Sequence, residues 1–105
     1  MPIVDAFAPE PAPRGDSAEL QAVSRRNHMI GMWAAEKMGL TADQAESYAR
    51  AVERAHSDRP SEEDVIRKVL GDLTASNVQV REAEVRTKAA EFLAQAREAL
   101  KGPAK

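Results

Sequence analysis

The chain has 105 residues, 43% of them hydrophobic and 30% charged, which describes one small globular domain and excludes a multidomain enzyme. Fifteen Lys and Arg stand against 17 Asp and Glu, a net charge of −2 without the cationic excess of phosphate-backbone binders, so the composition argues against nucleic acid as a partner. With no cysteine there is no disulfide framework, thiolate metal site or thiol nucleophile. No apolar run reaches the length of a membrane span, and residues 1–15 lack the basic start and apolar centre of a signal peptide, so the expectation is a cytoplasmic protein with no membrane insertion.

Prolines 2, 9, 11 and 13 crowd the start of the chain, and between Asp16 and Gly102 only Pro60 carries a helix-breaking ring. Residues 1–15 (MPIVDAFAPEPAPRG) show no periodicity and predict a disordered, proline-rich arm. A first helix is expected from Asp16 or Ser17 to Met38, with Leu20, Val23, Ile30, Trp33, Ala34 and Met38 at three-and-four spacing and Gly39 as its stop. Thr41 followed by Gln44 forms a capping box, and Ala45, Tyr48, Ala49, Val52 and Ala55 line one narrow face of a second helix. After the polar stretch from His56 to Pro60, Ser61 caps a third helix. It opens on Glu62, Glu63 and Asp64, carries Val65, Ile66, Val69, Leu70 and Leu73 on one face, and ends toward Asn77. Val78, Gln79 and Val80 are too few for a sheet and read as an apolar linker pinned to the core. The fourth helix begins at Arg81 or Glu82 and runs to about Leu100 through Val85, Ala89, Phe92, Leu93 and Ala96.

Four amphipathic helices joined by short connections bury their stripes most completely as a four-helix bundle, so the expected fold is all-α. The bundle spans residues 16–101, with an arm at 1–15 and a tail at 102–105. The expected core is Ile30, Trp33, Tyr48, Val52, Ile66, Val69, Leu70, Phe92 and Leu93.

Catalytic constellations are missing from the sequence. His28 and His56, the only histidines, lack the HxxxH or HxxEH spacing of a metal site and read as exposed helical residues. There is no GxSxG turn and no GxxxxGK or GxGxxG phosphate loop. The carboxylates read as helix decoration, with Glu46–Arg50, Glu63–Arg67, Asp64–Lys68, Glu82–Arg86 and Glu84–Lys88 at i,i+4 spacing. The expectation is therefore a protein that is not an enzyme and requires no cofactor or metal. Arg25, Arg26 and Asn27 stand out, because two guanidiniums and an amide within one turn suit a phosphate or an acidic partner surface. Trp33 reads as a core anchor, with an interface role as the alternative.

The ordered set Arg25, Arg26, Asn27, Met29, Ile30, Gly31, Trp33, Ala34, Ala35, Glu36, Met38 and Gly39 resembles the central signature of the alphaproteobacterial ζ subunits, small regulators of the F-type ATP synthase. The resemblance continues through Glu46, Tyr48 and Ala49, then from Glu63 to Val69, and into the Ala- and Glu-rich fourth helix. It implies a four-helix bundle, a monomer when free, that binds the catalytic head through the α, β and γ subunits and restrains ATP hydrolysis. It also implies a location in the cytoplasm or peripheral to the inner membrane, and ADP or ATP as a regulatory ligand. Arg25 and Arg26 are the expected phosphate contacts; Phe7, Arg25, Arg26 and Asn27 are the expected partner contacts. The family's inhibitory N-terminal segment is helical when inserted, whereas Pro9, Pro11 and Pro13 oppose a continuous helix here at about 3 kcal/mol per interior proline. A non-inhibitory paralogue, serving as a helical interaction or nucleotide-binding module, is the alternative.

Overall fold

The computed structural model describes residues 14–54 and 62–101, with side chains from residue 18 onward in the first stretch. Four helices follow in order: α1 (Arg14–Lys37), α2 (Ala42–Glu53), α3 (Glu62–Ala75) and α4 (Glu82–Lys101). With no strand among the described residues, the fold is an all-α four-helix bundle. The proline-rich stretch from Pro2 to Pro13, the Ser61 cap, His56, Phe7 and the tail from Gly102 lie outside the described residues.

Local chemistry sets most boundaries. The Gly39 φ of 76° lets its N–H donate to Glu36 O at 3.0 Å while Leu40 N–H donates to Ala35 O at 3.1 Å, so α1 closes on a Schellman motif. Asn77, at φ 65°, repeats the arrangement behind α3, with Asn77 N–H donating to Thr74 O and Val78 N–H to Leu73 O, both at 2.9 Å. The Thr41 hydroxyl accepts from Gln44 N–H at 3.2 Å and the Gln44 side chain accepts from Thr41 N–H at 3.0 Å, completing the expected capping box. At the head of α4 the carbonyl of Arg81 accepts from Glu84 and Val85. Helix α1 begins at Arg14, ahead of the expected start at Asp16 or Ser17.

Helix α1 is the spine, packing most extensively against α2 and α4, while α3 closes the other side. The core joins Ile30, Ala34, Val52, Val65, Ile66, Val69, Leu73, Val85 and Ala89. Trp33, Tyr48, Leu70 and Phe92 sit half-buried around it rather than inside it, and Leu93 is also half-buried. Val78 and Val80 pack against the same cluster, holding the α3–α4 linker down. The interior is thus built of β-branched residues, leucine and alanine, and α1 approaches α2 closely at Gly31. A Cβ placed on Gly31 would lie 2.8 Å from Ala49 Cα and 3.2 Å from both Ala49 Cβ and Val52 Cβ. Leu20, expected on the buried stripe, is 54% exposed, and Ala22, roughly 200° farther round the helix, is the buried residue of that turn.

Candidate functional site

The Arg25–His28 turn of α1 sends its side chains in different directions. Arg25 is exposed, and no side-chain partner approaches it among the described residues. Arg26 is only 2% exposed and Asn27 fully buried. The Arg26 Nε donates to Asn27 Oδ1 at 2.7 Å, and its Nη1 stands 3.6 Å from the Glu62 carboxylate at the head of α3. Burial pushes the Arg26 pKa below its ordinary value, and the Glu62 charge opposes that shift. Arg26 Nη1 and Asn27 Nδ2 are buried without a hydrogen-bond acceptor among the described residues. Arg26 and Asn27 therefore do not form the surface pair expected from sequence. They lie beneath the bundle surface where α1 meets α3, and only Arg25 of the three remains open to a phosphate or a partner. Neighbouring helices cover α1 on two flanks, and at this turn Arg26 and Asn27 fall on the covered side while Arg25 faces water.

His28 is likewise not a free helical residue. Its Nδ1 lies 2.6 Å from Glu53 Oε2, and its Nε2 3.6 Å from Glu46 Oε1, so the half-buried ring bridges α1 to two carboxylates of α2. No group of three or more His, Cys, Asp or Glu side chains is arranged to hold a metal among the described residues.

Beyond His28, one face of α1 opens into an apolar groove of about 560 Å³ lined by Met29, Met32, Trp33, Leu40, Ala45 and Phe92, with His28 and Glu36 at its edge. Lys37 lies 5.2 Å above the Trp33 ring and Lys88 5.9 Å above that of Phe92, each ammonium facing a ring's negative π-cloud at the rim. A groove lined by thioethers and aromatic faces suits an apolar segment of varied shape, since methionine adapts to what it contacts. Sequence reasoning singles out Trp33 for such a role but not Met29 and Met32. Their spacing of three places both on the Trp33 side of α1, and that is the signal the sequence carries for them.

The remaining polar contacts hold the bundle together. The Tyr48 hydroxyl donates to Asp72 Oδ2 at 2.7 Å, Lys68 Nζ reaches the same oxygen at 3.1 Å, and Lys68 also lies 5.5 Å over the Tyr48 ring. Burial, then the bond to Asp72, raises the Tyr48 pKa well above the phenolic range, so the hydroxyl stays a donor. Arg86 grips Glu63 of α3 with two bonds, at 2.7 and 3.0 Å, and Glu82 with its Nε at 2.8 Å. Arg97 on α4 grips Glu19 on α1 in the same two-pronged way. Of the pairs expected along single helices, Glu46–Arg50 and Glu82–Arg86 form. Glu63 instead turns to Arg86 across the bundle, Arg67 pairs with Asp64, Lys68 with Asp72, Glu84 with Lys37 and Lys88 with Glu91. For Glu63 and Glu84 a neighbouring helix offers the partner, which a single-helix reading omits.

Residues 13–99 match the family model for ATPase inhibitor subunit zeta. A protein solved by solution NMR shares 41% sequence identity, covering 79% of this chain and 94% of its own, with a TM-score of 0.68. No curated protein matches the chain. The match runs from the head of α1 nearly to the end of α4 and takes in the Arg25–His28 turn, the Gly31 crossing and the groove, so this chain belongs to the ATPase inhibitor subunit zeta family.

Proposed function

We propose that the chain docks on the catalytic head of an F-type ATP synthase, through its α, β and γ subunits, and restrains ATP hydrolysis as a regulatory rather than catalytic subunit. The observation that carries this reading is the family match across the whole bundle, joined to an open apolar groove on α1 that a partner can enter. Attachment to the head would make it peripheral to the inner membrane on the cytoplasmic side; no described helix is long and apolar enough to cross a membrane. The residues ahead of α1 are the proposed blocking element, with Phe7 as its apolar contact. Arg25 is the proposed phosphate contact for ADP or ATP, because its guanidinium is exposed and uncommitted. The test adds the purified chain to the isolated head and follows hydrolysis and co-purification. Lowered hydrolysis with a co-purifying chain supports the proposal; unchanged hydrolysis with no co-purification overturns it.

A second reading, a non-inhibitory paralogue that keeps the bundle as an interaction or nucleotide-binding module, is favoured by Pro9, Pro11 and Pro13. Three rings in five residues bar a continuous helix from the stretch that would have to insert as one. It predicts co-purification with unaltered hydrolysis.

A further inference from the structure

The open face of α1 carries a pattern that complements itself when reversed. Arg25, Met29, Met32 and Glu36 follow at spacings of four, three and four, which sets them on one stripe of the helix, the seam spacing of paired helices. Met29 and Met32 line the groove, Glu36 stands exposed at its edge, and Arg25 is exposed one turn before Met29, ~16 Å from Glu36 along the axis. Other charges around the groove are met within the chain: His28 by Glu53, Arg50 by Glu46, Lys37 by Glu84 and Lys88 by Glu91. Among the described residues neither Arg25 nor Glu36 has a side-chain partner. The four positions are symmetric about the Ile30–Gly31 bond. A second α1 laid antiparallel across that point sets Arg25 of each copy opposite Glu36 of the other, and Met29 of each opposite Met32 of the other.

We propose that this face of α1 is an interface between two copies of the chain, paired antiparallel about a two-fold axis, with Arg25–Glu36 contacts at both ends and the methionines interleaved between them. Laid parallel in register, the same stripe sets Arg25 against Arg25 and Glu36 against Glu36, which like charges oppose. The two-fold keeps the α4 flank of one copy beside that of the other, so both Trp33 rings, which stand on that flank under Lys37, fall on the same side of the seam. A single helix seam covers less than the roughly 800 Å² per partner of a stable complex, so the pair forms reversibly and at high concentration. The family resemblance implies a free monomer, which here is the dilute form. Pairing covers the groove and so competes with the docking proposed above for one face. It does not rest on that docking, since its test contains no other protein.

Sedimentation equilibrium of the full chain reads mass against concentration, and the ¹⁵N spectrum locates the contact. The expected result is a mass rising from one chain toward two between micromolar and millimolar concentration, with the Met29 and Met32 amides and the Trp33 indole N–H shifting in step. Arg25→Glu sets carboxylate against carboxylate and should hold the mass at one chain. Adding Glu36→Arg reverses the charge order at both ends and should restore association to the parent's level. Both side chains are exposed, so the circular dichroism of the variants should match the parent's. A single-chain mass over the whole range would overturn the proposal. So would association that survives Arg25→Glu, a double variant that stays single, or shifts confined to residues off this face.

Discussion

Gly31→Ala separates two physical effects of opposite sign. By intrinsic helix propensity alone, alanine in the middle of α1 should stabilise by up to about 1 kcal/mol. The structure reverses the sign, because the added Cβ would sit 2.8 Å from the Ala49 Cα, and that atom is backbone. Ordinary contact begins near 3.4 Å, so α1 and α2 must separate by several tenths of an ångström. Moving α2 strains the packing of Val52 against Ile30 and Ala34, all fully buried, and overpacking of this kind costs typically about 1–3 kcal/mol. Set against the propensity gain, the net is a loss of up to about 2 kcal/mol. For a domain of this size each kilocalorie shifts Tm by roughly 4–8 °C. The assay is thermal unfolding followed by circular dichroism, with Gly71→Ala as the control. Gly71 is helical and exposed, and nothing lies within 4 Å of where its Cβ would stand, so that variant should gain stability. A Gly31→Ala variant that melts above the parent, as the Gly71→Ala control should, would refute the close crossing of α1 and α2.

Asn27→Ala should destabilise by about 1–3 kcal/mol in chemical denaturation, because it strips the buried Arg26 Nε of its acceptor; an unchanged midpoint would place Arg26 in solvent. Tyr48→Phe removes the donor to Asp72 and should cost about 0.5–1.5 kcal/mol in the same assay, with no loss if Lys68 alone satisfies that carboxylate. Glu19 and Glu63, bonded to Arg97 and Arg86, are both held below the ordinary carboxylate value of 4.5. A lowered folded pKa means that their contribution is complete above the unfolded value and fades as pH falls through the folded one. Tm should therefore drop on acidification below about pH 4.5, and more shallowly in an Arg86→Gln, Arg97→Gln double variant; parallel pH profiles would contradict the assignment.

Features carried by neighbours in sequence are legible from the residues alone. The Thr41–Gln44 box, the Gly39 stop and the Asn77 exit each involve atoms within a few residues of one another, so the chain specifies them wherever the helices later dock. Of the periodic positions of α3, Val65, Ile66, Val69 and Leu73 are buried as spaced and Leu70 sits at the core's edge, because a short helix with one apolar face has one way to hide it. The α1 positions are harder to read. Its apolar and small residues occupy more than one face, and which face is covered depends on where α2, α3 and α4 settle.

By itself, then, the sequence determined the number of helices, their stops, the all-α class and, through its ordered signature, the family. Only the tertiary structure decided that Arg26 and Asn27 turn inward beside Glu62, that Leu20 is exposed while Ala22 is buried, that His28 bridges to Glu53, and that Trp33 with Met29 and Met32 lines an open groove. The reason is one of range. Caps and stops are satisfied within a single turn of chain, whereas burial and ion pairing belong to whichever distant helix covers a given face, and no spacing within α1 encodes that choice.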